Sequence, residues 1–234
     1  MRCNNCPFFE NIDAVIFDFD GTLYDKKWFA WRLLTQNIKD VFLIRAERKT
    51  RNQMKGIDFL SAADFYENFI KMMSIALKNK KYTVPFLKNW YFEHYLTMLT
   101  HTLKKYYTAR VGVENLFDSL TQSNIKIAVF SDYSAVAERM SAVGLNCQNK
   151  NIALFSAEEF GALKPAPRPF LEIAKQWQVN PKKTLVIGDR TDTDGIGAKN
   201  AGMKFLLLIN KNNSNSNNET TWENLTSKCH ISHI

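Results

Sequence analysis

Four short apolar runs constrain this chain more than any other feature of its sequence. Residues 14–17, 125–130, 184–187 and 205–209 are continuous, rich in β-branched and aromatic side chains, and too short for buried helices. Runs of this kind are strands covered on both faces. A fifth, weaker run lies at 152–155. Helical patterns fill the spaces between them. "VENLFDSLTQS" sets Val113, Leu116, Phe117 and Leu120 on one stripe. "AVAERMSAVGL" follows Ser134, a predicted N-cap, and stops near Gly144. "PRPFLEIAKQWQV" opens with prolines suited to a first turn, and "TDGIGAKNAG" closes on Gly202. Strands alternating with helices predict an α/β fold, a parallel sheet with helices on both faces. Ligands in such sheets bind beyond the carboxyl ends of the strands. Asp18, Ser131 and Asp189 each stand at or just after such an end.

Residues 26–108 break the alternation. Their apolar spacing predicts helices at about 28–44, 58–79 and 85–104, which we read as a helical cap inserted after the first strand. The expected division is a core domain of 1–24 and 109–234 and a cap domain of 25–108. "RAERKTRNQMKG" reads as a basic turn or helix end between cap helices. The charge is uneven. Residues 24–110 hold 17 Lys and Arg against 7 Asp and Glu, while the rest of the chain is slightly acidic. That asymmetry places a basic, aromatic insert inside a near-neutral host. "RKTR" with Lys55 is the patch expected to face a substrate. Near the C-terminus "NKNNSNSNN" reads as a polar surface loop, and "TWENL" as a last helix packing Trp222 on the core.

Composition excludes several classes. A chain of 234 residues with 45% hydrophobic side chains buries a sizeable core. No stretch approaches the roughly 18 apolar residues of a membrane helix, and the start lacks a secretory apolar segment. The expectation is a soluble, cytoplasmic monomer or homodimer with no membrane partner. Four cysteines, Cys3, Cys6, Cys147 and Cys229, are too few for a disulfide scaffold. "CNNC" with Cys229, His230 and His233 raises a structural zinc joining the termini, against a pair of ends carrying reduced thiols.

The chemistry concentrates in "VIFDFDGTLYDKK". Asp18 and Asp20 flank Phe19, so alternate-residue geometry points both carboxylates to one side of the strand end. Close like charges are costly unless a cation offsets them or one is protonated. Ser131 in "FSDYS" offers a hydroxyl, Lys164 in "LKPAPRPF" an ammonium on a stiff loop, and "VIGDRTDTDGIGAKNAG" the acids Asp189, Asp192 and Asp194. Together these are a hard-cation site, a hydroxyl, a fixed ammonium and a carboxylate able to act as a nucleophile, and magnesium suits such oxygen ligands together with a phosphate.

"DFDGT", "FSD", "LKPAPRPF" and "GDRTDTDGIGAKNAG", in that order, resemble the four motifs of the haloacid dehalogenase-like (HAD) hydrolase superfamily. The resemblance covers about residues 12–24 and 111–210. It implies a Rossmann-like core with an α-helical cap between the first and second motifs, and a phosphatase acting on a small, anionic phosphorylated metabolite. It further implies Asp18 as the nucleophile that becomes an aspartyl phosphate and Asp20 as general acid and then base. Ser131 and Lys164, with Gly21 and Thr22 of the turn, hold the transferring phosphoryl group. Mg2+ is the implied cofactor, bound by Asp18, Asp189, Asp194 and the backbone carbonyl of Asp20, with Asp192 an extra acid nearby. Asp20 speaks against the dehalogenase branch, whose departing halide needs no proton. Asp132 departs from the asparagine that many members carry after the second-motif hydroxyl. Two alternatives stand beside this reading: a phosphomutase of the same fold, and a nucleic-acid-binding protein with a vestigial site, since basic patches bind phosphate backbones. No motif position has decayed, which disfavours the latter.

Overall fold

The computed structural model describes residues 6–146, 151–210 and 218–228. Six strands form one sheet: β1 Ala14–Asp18, β2 Lys126–Ser131, β3 Ile152–Ser156, β4 Thr184–Gly188, β5 Lys204–Leu208 and β6 Glu219–Thr220. Their order is β3-β2-β1-β4-β5-β6, and every pairing is parallel. The five expected strands are all present. β6 has two residues, too few to leave a periodic signal. In register, Asp18 of β1 stands opposite Phe130 of β2, and Phe17 opposite Ile187 of β4. The central strand therefore delivers Asp18 between Ser131 and the loop that begins at Asp189.

The pleat explains the two-sided burial of β1. Val15 and Phe17 join one hydrophobic cluster and Ile16 joins the other, and all three are fully buried. Eleven α-helices accompany the sheet in the described residues. Five precede β2: α1 Phe29–Gln36, α2 Val41–Met54, α3 Ala62–Leu77, α4 Val84–Asn89 and α5 Leu96–Tyr106. Six follow: α6 Val113–Gln122, α7 Val136–Ala142, α8 Ala157–Phe160, α9 Pro167–Gln176, α10 Ile196–Asn200 and α11 Trp222–Lys228. The predicted stripe Val113, Leu116, Phe117 and Leu120 of α6 is buried, as is Trp222 of α11. No helix in the described residues is long and apolar enough to cross a membrane.

The helices of the insertion share a core with the sheet. Phe65, Phe69, Tyr91 and Tyr95 belong to the same cluster as Ile16, Phe130 and Val186. The chain leaves β1 and returns through an antiparallel bridge between Tyr24 and Ala109. A second tether forms where Asp58 bridges Ala162, with Phe59 N–H donating to Gly161 O at 3.0 Å and Gly56 N–H to Leu163 O at 3.3 Å. Gly161 is required there. Its φ is +74°, and a Cβ would sit 2.2 Å from the carbonyl oxygen of Ser61.

Four expectations need correction. "RAERKTRNQMKG" is a helix end and not a turn, because residues 45–54 form the C-terminal part of α2. Arg, Lys, Glu and Gln are good helix formers, and nothing breaks the helix until Lys55 and Gly56. The buried face of α2 reads Leu43, Ile44, Ala46, Glu47, Thr50, Arg51 and Met54, so polar members hid a helical stripe. The first insertion helix, expected to run on to 44, ends at Gln36. Ser134 does not cap α7, whose N-cap is Ala135. The Ser134 hydroxyl instead donates to Glu158 at 2.6 Å. Cys6 is buried and disulfide-bonded, which replaces the reduced-thiol reading and removes it as a thiolate for zinc. Cys3, Cys147, Cys229, His230, His233 and most of "NKNNSNSNN" lie outside the described residues.

Candidate active site

The first turn after β1 folds on itself at Gly21, where φ is +97° and a Cβ would stand 2.5 Å from Asp189 Oδ2. Only glycine fits that approach. The Thr22 hydroxyl donates to Asp18 Oδ2 at 3.0 Å, and Lys164 Nζ reaches Asp18 Oδ1 at 2.5 Å. Both oxygens of the buried Asp18 carboxylate are thus held by side chains from fixed elements. Arg110 steadies the same turn by donating to the carbonyls of Thr22 and Gly21 at 3.1 and 3.2 Å.

Lys164 is buried and lies 2.7 Å from Asp194 Oδ1 as well. Burial works against its charge, but Asp18, Asp194 and Asp132 outweigh that cost and hold the ammonium above its ordinary value. Asp132 accepts from the backbone N–H of Lys164 at 3.0 Å, so the second-motif aspartate fixes the lysine loop. Gly188 makes room for Asp194, since a Cβ there would meet Asp194 Oδ2 at 2.5 Å. Asp192 is exposed and pairs with Arg190, away from this cluster.

Asp18, Asp189 and Asp194 each bring one carboxylate oxygen within 4.8 Å of the others. Burial pushes the Asp194 carboxyl up to about 7, with Asp18 adding to the shift and Lys164 opposing it. Burial also raises Asp189, again helped by the Asp18 charge. Asp189 Oδ1 is buried and has no hydrogen-bond partner among the described residues. Three converging carboxylates with an orphaned acceptor are short of positive charge, and a hard divalent cation fits that donor set.

Asp20 is anchored differently. It accepts from Arg139 on both oxygens at 2.6 Å, from the Tyr24 hydroxyl at 2.6 Å and from the Ser131 hydroxyl at 3.0 Å. Burial alone would raise its carboxyl, but Arg139 and these hydrogen bonds overcome it and hold Asp20 below the usual range. Ser131 is fully buried and also accepts from Arg139 at 2.8 Å, so in this state its hydroxyl serves Asp20. A cavity of about 490 Å³ opens over Asp18 and Asp20. Trp28, Phe29, Leu33 and Leu99 line part of it, and Arg48, Lys55 and Arg190 line another.

The sequence matches the haloacid dehalogenase-like hydrolase family over residues 15–208. The chain belongs to that family. Among curated proteins it is 23% identical over 202 residues to the glyceraldehyde 3-phosphate phosphatase of Methanothermobacter thermautotrophicus, covering 84% of this chain and 85% of that one. It is 27% identical over 199 residues to the phosphoglycolate phosphatase of Aquifex aeolicus, covering 84% of each. Solved structures share the fold: a HAD phosphatase from Thermococcus onnurineus (TM-score 0.55, 18% identity, 90% and 92% of the two chains) and a 2-haloacid dehalogenase from Pseudomonas syringae pv. Tomato (TM-score 0.59, 18% identity, 92% and 96%).

As a HAD-like hydrolase, the chain brings all four motif segments to one site. Asp18, Asp20, Gly21, Thr22, Ser131, Lys164, Asp189 and Asp194 surround one strand end. Sequence reading missed three neighbours, Tyr24, Lys26 and Arg139, and the buried Glu158 that pairs with Arg51 and Ser134. Arg139 left a signal, a charge one residue from Met140 and three from Val136 on the buried face of α7. Glu158 left none, because its partners come from four distant segments.

Proposed function

We propose that this HAD-like hydrolase is a magnesium-dependent phosphatase that works through an aspartyl phosphate on Asp18, with a small, anionic phosphorylated metabolite as substrate. The observation that carries the reading is the Asp18 carboxylate itself. It is held by Thr22 and Lys164 at the floor of a cavity of about 490 Å³, with a second acid two residues on. Phosphatase names on curated relatives that span most of the chain support it.

In this reading an Asp18 oxygen attacks phosphorus, the ester P–O bond breaks, and Asp20 delivers a proton to the departing oxygen. Asp20 then takes a proton from the water that attacks the aspartyl phosphate, which releases inorganic phosphate and restores Asp18. Lys164 and Ser131 hold the phosphoryl oxygens. Magnesium, held by Asp18, Asp189, Asp194 and the Asp20 backbone carbonyl, would neutralise charge on the phosphoryl group. With Asp20 paired to Arg139, the resting site favours the base half of the cycle. A bound phosphoryl dianion beside Asp20 raises its pKa and favours the acid half. Asp20 is also the feature that favours a phosphatase over a dehalogenase.

Residues 25–108 act as the cap. Arg48 and Lys55 of that segment line the cavity, which supports a leaving group with negative charge of its own. Lys49 lines a separate pocket with Phe42 and Tyr82, and Arg51, although it reaches the cavity wall, is buried and paired with Glu47 and Glu158, so the basic run does not face the site as one free patch. The testing experiment is a screen of phosphorylated metabolites, read as steady release of inorganic phosphate. Turnover lost with EDTA and restored by magnesium is expected. Full turnover in metal-free buffer overturns the metal reading, and absence of phosphate release from every ester overturns the phosphatase.

A further inference from the structure

Lys26 sits where a cation is wanted. Its Nζ lies 2.6 Å from Asp189 Oδ2 and 2.9 Å from the backbone oxygen of Asp20. These groups are two of those proposed above to hold magnesium. Its stem crosses the turn: a Cβ on Gly21 would meet Lys26 Cδ and Cε at 2.8 Å. Among the described residues Asp189 Oδ1 remains without a partner, so this single ammonium leaves the carboxylate half satisfied.

We infer that Lys26 is a resident counter-ion that a divalent cation must displace to enter the site. The inference rests on the magnesium reading and adds a competitor to it. Two cations cannot share the same pair of oxygens at contact distance, because their mutual repulsion is large in a partly buried site. The two lysines of the site differ in their freedom to yield. Lys164 is 3% exposed and gripped by Asp18 and Asp194, whereas the Lys26 side chain is 38% exposed and borders the open cavity. Lys26 can therefore turn into the cavity when a metal arrives. A metal-free chain keeps its acidic cluster partly neutralised, and apparent metal affinity is lowered by the competition.

The test is metal binding itself. EDTA-stripped wild type, Lys26→Met and Lys26→Gln are titrated with Mn2+ by electron paramagnetic resonance and with Mg2+ by calorimetry, and Asp189→Asn is the control for site occupancy. Both Lys26 variants are expected to bind about tenfold more tightly than wild type, the effect of removing a competing charge. Saturating magnesium is expected to raise the melting temperature of both variants more than that of wild type. Equal or weaker binding by both variants, alongside wild-type binding that Asp189→Asn abolishes, overturns the Lys26 inference and leaves the metal reading intact. Absence of binding in wild type and variants overturns the metal reading and the inference with it.

Discussion

Asp20 and Arg139 form the most consequential side-chain pair that the motifs do not reveal. Arg139 is 1% exposed, spans both Asp20 oxygens and also reaches Ser131, so it sets the charge state of the proposed acid and base. Removing it leaves burial as the dominant influence on Asp20, and burial raises a carboxyl pKa. Arg139→Met is expected to move the Asp20 titration upward by about one unit or more, followed by 13C NMR of labelled aspartate. The pH optimum of kcat/KM should move the same way. An unmoved titration would remove Arg139 from the proton chemistry. At this scale the sequence was highly legible where residues follow one another, as in "DFDGT", since adjacency in sequence is adjacency in space. Lys26 was not legible, and Arg139 was legible only as a charge on the apolar stripe of α7, not as a partner of Asp20. Their partners are set by the angle of a turn and the pitch of α7, which no spacing rule reports.

Among the elements, α2 carries the clearest physical consequence. Arg51 of α2 donates to Glu47 on its own helix at 2.7 Å and to Glu158 of α8, and it stacks over Tyr133 at 3.8 Å. Glu158 also accepts from Ser134 and the hydroxyls of Tyr91 and Tyr66, which locks the insertion to the sheet. Burial would raise Glu158, but Arg51, Ser134 and Tyr91 hold it below its ordinary value, whereas burial prevails at Glu47. The sign for Glu158 follows from linkage. Its stabilising contribution is present above the unfolded carboxyl pKa and is lost as pH falls through the folded one. Glu158→Gln is expected to cost about 3 kcal/mol at pH 7, by urea denaturation, and less at a pH below the lowered folded pKa, where the native carboxyl has taken up its proton. An equal cost at both pH values would show that the charge does not matter. The tether at Gly161 gives a second test. Gly161→Ala combines a left-handed φ with a backbone clash and should cost about 3 kcal/mol, while Gly144→Ala, with open space around it, should cost about 1 kcal/mol. Similar costs at the two sites would show that the Ser61 contact is relaxed easily. The helix boundaries near 37–55 were illegible because a buried ion pair replaced apolar residues on the inner stripe of α2.

Across the whole molecule, the excess positive charge of residues 24–110 divides into separate uses. Lys49 faces another surface, Arg51 reaches the cavity wall but is paired with Glu47 and Glu158, and Arg48 and Lys55 border the cavity. A count of charges read from sequence does not make that division, because it depends on which helix face turns inward. Reversing Arg48 and Lys55 together should raise KM several-fold for an anionic ester while leaving p-nitrophenyl phosphate nearly unchanged, on the order of 1 kcal/mol per exposed contact. Added salt should shrink the difference. Equal changes for both esters would mean that these residues only support the cap.

The proposed function turns on one chemical event, the transfer of a phosphoryl group to Asp18. Acid quench during turnover of an accepted ester, followed by borohydride reduction and peptide mass spectrometry, reads that event directly. Reduction of an acyl phosphate converts the aspartate to homoserine. The account predicts homoserine at position 18 in wild type and its absence in Asp18→Asn, which should also lose turnover. Steady phosphate release with an unmodified Asp18, or with the modification at another residue, would contradict it.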